Sequence, residues 1–261
     1  MRTGRALVGA GGTVALAAFF TVSGLGGVIP SLFAAAWLVA IPALAVIGAP
    51  PPAEEIRADR AAVYKGSTVL LAVAGLLAVW ALVRLPHPPA SRLLAWPPEI
   101  AGLLGPALLL TAAGVLVAYG FRALSRRFGW QETEVVRAIM PETRREKGAF
   151  AALSLAAGFS EEIVFRAFLP VFLLPWTGSY LAGALPAAGV FGFLHAYQGR
   201  LGIVRTTVIG VVMAAGVAWT GSVWPSVFAH AALDLLFGLV LARSLMGEPR
   251  ADAAGEGDSW T

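Results

Sequence analysis

The sequence predicts an all-α fold, a polytopic membrane helical bundle of about eight transmembrane helices. Three observations predict it. Of the 261 residues 58% are hydrophobic and 13% charged, with a mean hydropathy of +0.77, whereas a soluble domain carries roughly 45–50% apolar and about 25% charged residues. The apolar excess is spread along the chain in runs near the ~20 residues that a bilayer-crossing helix needs. Polar residues gather in a few short stretches between those runs. A water-soluble fold cannot hide so much apolar surface, so the solvent is lipid. Disorder, a nucleic-acid module and a coiled coil are excluded. The absence of Cys removes disulfides, thiolate metal sites and a cysteine nucleophile.

In chain order the first two spans run from about Ala6 to Ser23 and from Val28 to Ala49, joined by a Gly-rich turn. Arg2 and Arg5 before an apolar run look like a secretory leader, but a second span follows at once and no cleavage site is evident, so the run is read as a retained helix. A polar loop, Pro50 to Gly66, precedes a third span over Ser67–Val83. The Pro-rich stretch Leu85–Pro98 leads to a fourth over Ile100–Phe121. The longest polar stretch, Arg122–Gly148, holds seven basic and four acidic residues. It is open to three readings: an amphipathic helix on an anionic lipid surface, the wall of a substrate entrance, or a solvated connector. The last four spans run over Ala149–Leu169, Ser179–Tyr197, Leu201–Thr220 and Val223–Leu245, and a polar tail closes the chain. This gives four regions: an N-terminal four-helix part (1–121), a basic connector (122–148), a four-helix core (149–246) and a tail (247–261).

The net charge of +4 and pI near 10.0 suit a helical membrane protein with basic cytoplasmic loops. With a cytoplasmic N-terminus, 16 of the 19 Lys and Arg residues fall on the inner side, so the positive-inside rule puts both termini in the cytoplasm and the protein in the cell membrane. No nucleic-acid partner is expected.

The polar groups of the last four spans are the informative ones. Between Ala149 and Leu245 the only acidic residues are Glu161, Glu162 and Asp234, and two of the three histidines, His195 and His230, lie there as well. A charge near a helix centre costs about 2.5–3.5 kcal/mol on insertion scales, so such groups face a cavity and carry function. Glu162 and Arg166 are i and i+4 and pair on one helical face. Glu161, rotated about 100° away, is free to point into a different space and to transfer protons. His230 and Asp234 are also i and i+4, so Asp234 is placed to orient the imidazole. His195 lies four residues after Phe191.

These residues form three motifs. Glu161-Glu162-Ile163-Val164-Phe165-Arg166 resembles the E-E-x-x-x-R motif of the CAAX prenyl protease and bacteriocin-processing family of intramembrane endopeptidases. Phe191 to His195 resembles its F-x-x-x-H motif, and His230 to Asp234 its H-x-x-x-[ND] motif. All three stand in the family's order. Two positions depart from it: Ala167 replaces a common Gly, and Asp234 a more common Asn. The resemblance implies peptide-bond hydrolysis of a peptide or membrane-attached protein within the bilayer. Glu161 with His195 would activate water, His230 and Asp234 would receive the oxyanion, and Glu162 with Arg166 would hold the site. Both a metal-free mechanism and a divalent metal such as zinc on Glu161, His195 and His230 are compatible with the residues.

Alternatives stand beside this reading. The Glu162–Arg166 pair also suits a packing clamp, and a lone intramembrane histidine a bridge between helices. Phe191 reads as packing; Trp37, Trp176 and Trp224 as interface anchors or core. Ser160 has no base at serine-protease spacing. A proton- or cation-coupled transporter would use the same residues as a relay, although the first four spans carry no buried charge. A catalytically idle immunity or scaffold protein is a third class. If every span crosses simply, His195 lies near the cytoplasmic end of its helix and His230 about 10 Å below the outer end of the last one, so a shared site requires a shift in depth.

Overall fold

The structure, a computed structural model, describes residues 2–24, 26–48, 50–85, 92–130 and 132–246. Among these there is no strand. The chain forms α1 (Arg2–Val22), α2 (Val28–Ile47), α3 (Ala53–Ala58), α4 (Arg60–Val83), α5 (Ile100–Phe128), α6 (Glu134–Ala138), α7 (144–177), α8 (Tyr180–Leu194), α9 (Gly199–Thr220) and α10 (224–246). Five stretches are long and apolar enough to cross a membrane: α2, α4, α5, Ala196–Thr220 and Trp224–Leu241. Gly11–Val22 and α8 are shorter apolar helices. The chain is therefore a polytopic helical bundle and an integral membrane protein. The tail expected over 247–261 and part of the Pro-rich stretch lie outside the described residues.

Side chains such as Leu70, Leu108, Leu116 and Trp219 are exposed, the surface a bundle presents to lipid. The core lies around α7, which packs on α4, α8 and α10. Its middle, Ile163 to Phe172, is buried throughout. Phe165 stands edge-on to Trp37 and Phe168 to Phe33, with ring centroids 5.3 and 5.0 Å apart, so α2 closes over the same segment. Of the three tryptophans weighed as anchors, Trp37 is buried core and Trp176 is exposed; the indole of Trp224 donates to the Leu94 carbonyl at 2.9 Å.

The start of α7 is written in its first turn. Thr143 Oγ1 accepts from the Glu146 amide at 3.2 Å, and Glu146 Oε2 accepts from the Thr143 and Glu142 amides at 3.0 and 2.7 Å, a capping box. Those backbone donors hold the Glu146 carboxyl below the usual carboxylate range, with the Arg60 guanidinium adding to the effect. At the other end Gly178, at φ +70°, takes a left-handed conformation that a side chain would strain. The tight turn it makes sends α8 back against α7.

Helix α5 runs to Phe128, so the region beyond Arg122 is helical for two further turns and the connector proper is short. It is tethered on every side. Arg60 Nε donates to the Ala138 carbonyl at 2.6 Å and its Nη2 to Glu142 at 2.8 Å; the Tyr64 hydroxyl donates to the Ile139 carbonyl at 2.8 Å. Arg57 pairs with Glu134 at 2.6 Å, Thr133 Oγ1 donates to the Tyr197 carbonyl at 2.8 Å, and Arg205 pairs with Glu132 and Gln198.

Candidate active site

One cavity of about 360 Å³ opens among α4, α7, α9, α10 and the connector. Glu161, Arg166, His195, His230 and Asp234 all line it. Glu162 is fully buried and lies behind that wall. The six residues singled out by spacing are thus brought to one place. Helix α8 is short enough for the two histidines to share a depth. At 1.5 Å per residue the 15 residues of α8 span about 22 Å, short of the ~30 Å hydrocarbon core. His195 caps the end of α8 and lines the same cavity as His230.

His230 is the hub. Its Nδ1 is 2.7 Å from Glu162 Oε1. A carboxylate only accepts, so the Nδ1 proton points at Glu162. Glu161 Oε2 approaches the other ring nitrogen, Nε2, at 3.7 Å. Two adjacent carboxylates thus address opposite edges of one imidazole, Glu161 from the cavity, a different space as its rotation suggested, and Glu162 from behind the wall. Asp234 Oδ2 is 3.8 Å from Nε2, an ion-pair distance beyond hydrogen-bond reach. The carboxylate that orients His230 is therefore Glu162 and not Asp234. The reason is tertiary: an i,i+4 neighbour on α10 leans alongside the ring, whereas Glu162 meets it head-on from α7.

Gly158 makes that meeting geometrically feasible. A Cβ there would sit 2.9 Å from both the Ala231 amide nitrogen and its Cβ, and 3.0 Å from the Val227 carbonyl. These are mostly backbone atoms that cannot swing aside. Gly158→Ala is expected to spread α7 from α10, costing about 1–3 kcal/mol as overpacking, and to lower turnover by breaking the Glu162–His230 contact. Thermal unfolding and activity of the purified variant check both; an unchanged melting temperature would show that α10 yields freely there.

Arg166 and Glu162 pair at 2.9 Å, with side chains 1% and 0% exposed. Arg166 is the largest fully buried side chain among the described residues. Its guanidinium carbon stands 4.1 Å from the Phe191 ring centroid, a desolvated cation–π contact, and its Nη2 lies 3.1 Å from where a Cβ on Gly210 would be. The ion pair is off hydrogen-bond alignment: Arg166 Nε, Nη1 and Nη2 and Glu162 Oε2 have no hydrogen-bond partner within the protein.

His195 Nδ1 is 2.8 Å from the Phe191 carbonyl. A carbonyl only accepts, which puts the proton on Nδ1 and leaves Nε2 for other partners. Phe191 does more than fill space: its carbonyl anchors His195, its face carries Arg166, and its ring stands 4.7 Å from the His195 ring and 6.0 Å from that of His230. Ser160 is buried against Gly75 and is not among the cavity-lining residues.

Among the described residues no group of three or more His, Asp or Glu side chains is arranged to hold a metal ion. Both Nδ1 atoms are committed, one to Glu162 and one to a carbonyl. That leaves Nε2 of His195 and of His230 without a hydrogen bond, and an Nδ1–H given to a carboxylate or a carbonyl is also what a metal-ligating histidine shows. Connector residues Glu132, Val136, Ile139 and Met140 also line the cavity, a placement that suits the entrance reading of that stretch.

Residues 146–236 match a family model described as Type II CAAX prenyl endopeptidase Rce1-like. The match spans all three motifs and agrees with the family they resemble. The segment is thus similar to CAAX prenyl endopeptidases. No curated protein and no solved structure matches the chain.

Proposed function

We propose that the chain is an intramembrane endopeptidase that hydrolyses a peptide bond of a peptide or membrane-attached protein, with Glu161 as general base. The attacking water sits between Glu161 and His195. As its oxygen bonds to the scissile carbonyl carbon, its proton passes to Glu161. His230, in its protonated form, offers Nε2–H to the developing oxyanion while Nδ1–H stays on Glu162, which sets the ring's position; Asp234 flanks Nε2 at 3.8 Å. The proton on Glu161 then passes to the leaving nitrogen, the C–N bond breaks, and acid and amine depart. Glu162 and Arg166 fix the hub from behind. No step is routed through a metal. The charge bias of the loops puts the connector, and with it the entrance, on the cytoplasmic side along with both termini.

The observation that carries this reading is the division of labour on His230: Glu162 at 2.7 Å on Nδ1, Glu161 at 3.7 Å on Nε2, in a cavity that His195 shares. The match over residues 146–236 supplies the reaction class. The full chain, reconstituted with membrane-anchored peptides in ¹⁸O-enriched water, tests it. Hydrolysis places one ¹⁸O in the new carboxylate of the N-terminal fragment and none in the new amine of the other, and turnover is expected to persist in chelator. Ion or proton flux across the vesicles without cleavage would identify a transporter instead. A stoichiometric metal that is lost on His230→Ala would overturn the metal-free step.

A further inference from the structure

Helix α7 is not α-helical throughout. It passes through a six-residue π segment, Ile163–Phe168, that starts directly after Glu162 and contains Arg166. A π turn shifts the hydrogen bonds from i+4 to i+5, takes in an extra residue and loosens the local carbonyl ladder. Single π turns inside α-helices are rare and frequently lie at functional sites. Here the Arg166 carbonyl accepts a hydrogen bond from the Tyr180 hydroxyl at 2.7 Å.

Tyr180 is placed for this by local structure. Gly178 turns the chain, Ser179 Oγ accepts from the Ala182 amide at 3.2 Å, and Tyr180 becomes the first residue of α8. Its ring packs on the buried cluster that includes Phe165, Phe168 and Phe191. The helix that braces the π turn at its start thus carries Phe191 and His195 at its end. Three parts of the site hang on one short helix: the register of Glu161 and Glu162 against Arg166, the Phe191 face beneath the guanidinium, and His195.

We propose that Tyr180 is a positioning residue, whose hydroxyl holds the π turn that aims the Glu161–Glu162–Arg166 set at His230. The proposal rests on the endopeptidase reading above. A misplacement of about 1 Å in such a set costs up to roughly a hundredfold in rate.

The test compares wild type, Tyr180→Phe and Glu161→Gln as full-length reconstituted protein, reading kcat, KM, the pH profile of kcat/KM and thermal unfolding. Tyr180→Phe is expected to lower kcat by about 10–100-fold, leave KM within about twofold, and displace the pH profile, because the groups around His230 no longer hold their spacing. A lower melting temperature with wild-type kcat and profile in the folded protein would reduce Tyr180 to a packing residue and overturn the proposal. If Tyr180→Phe does not fold, 4-aminophenylalanine at position 180, which keeps an N–H donor, is read instead. A kcat near wild type supports the proposal, and a folded amino variant with collapsed kcat overturns it. The two readings fail separately: a fully active Glu161→Gln sinks the endopeptidase mechanism, whereas an inactive Glu161→Gln beside a fully active Tyr180→Phe sinks only the role of Tyr180.

Discussion

Glu161→Gln is expected to lower kcat for peptide hydrolysis by about 10²–10⁴-fold, the usual worth of a positioned general base, with KM nearly unchanged. Gln has the same shape and can still present an oxygen towards His230 Nε2, which Glu161 Oε2 approaches at 3.7 Å, but it cannot accept the proton of the attacking water. The ion pair of Glu162 with Arg166 and the bond from His230 to Glu162 are made by the other carboxylate, so the fold should melt as wild type does. A loss confined to kcat is the mark of an interaction made in the transition state. Asp234→Asn provides the contrast. Because Asp234 Oδ2 stands 3.8 Å from the ring, its replacement by the amide should cost less than about tenfold. Equal turnover by wild type and Glu161→Gln would remove Glu161 from the chemistry.

The helices and the pairs within a helix were legible in the sequence because both are set by local periodicity. Runs of apolar residues located α2, α9 and α10 closely and one end each of α4 and α5, whose other ends run about two turns further into polar sequence, and the i,i+4 spacing of Glu162 and Arg166 became a 2.9 Å ion pair. What periodicity cannot carry is contact between helices. Glu162 and His230 are 68 residues apart, and their meeting depends on Gly158 lying against Ala231, a fact with no local signature. The spacing of His230 and Asp234 therefore suggested an orienting pair where the tertiary contact supplies a different one. Helix α7 is longer than its apolar stretch because a capping box at Thr143 starts it before the membrane-like residues begin. The π segment and the Tyr180 brace leave no periodic trace either; their one signal is a Gly178-Ser179 turn followed at once by an aromatic with a hydroxyl.

The largest effect on stability is expected where burial is most complete. Glu162→Ala leaves the Arg166 guanidinium, 1% exposed, without its counter-charge inside an apolar core, and should destabilise the protein by about 3–5 kcal/mol. It also strips His230 of its Nδ1 acceptor, so turnover falls with stability. Arg166→Ala should cost a similar amount by stranding Glu162 and by opening a hole over the Phe191 ring. These two losses look alike and would by themselves leave the pair as either a clamp or part of the chemistry. The double replacement Glu162→Leu with Arg166→Met separates them. It removes both charges at roughly constant volume, and buried ion pairs exchanged for apolar groups are often neutral in stability or better. Most of the lost stability should return, giving strong non-additivity between residues in contact, while activity stays low because nothing fixes the His230 ring. Unfolding titrations read the first quantity and cleavage assays on the same preparations the second. Additive destabilisation would show that the pair contributes more than mutual neutralisation, and recovered activity would show that His230 needs no carboxylate behind it.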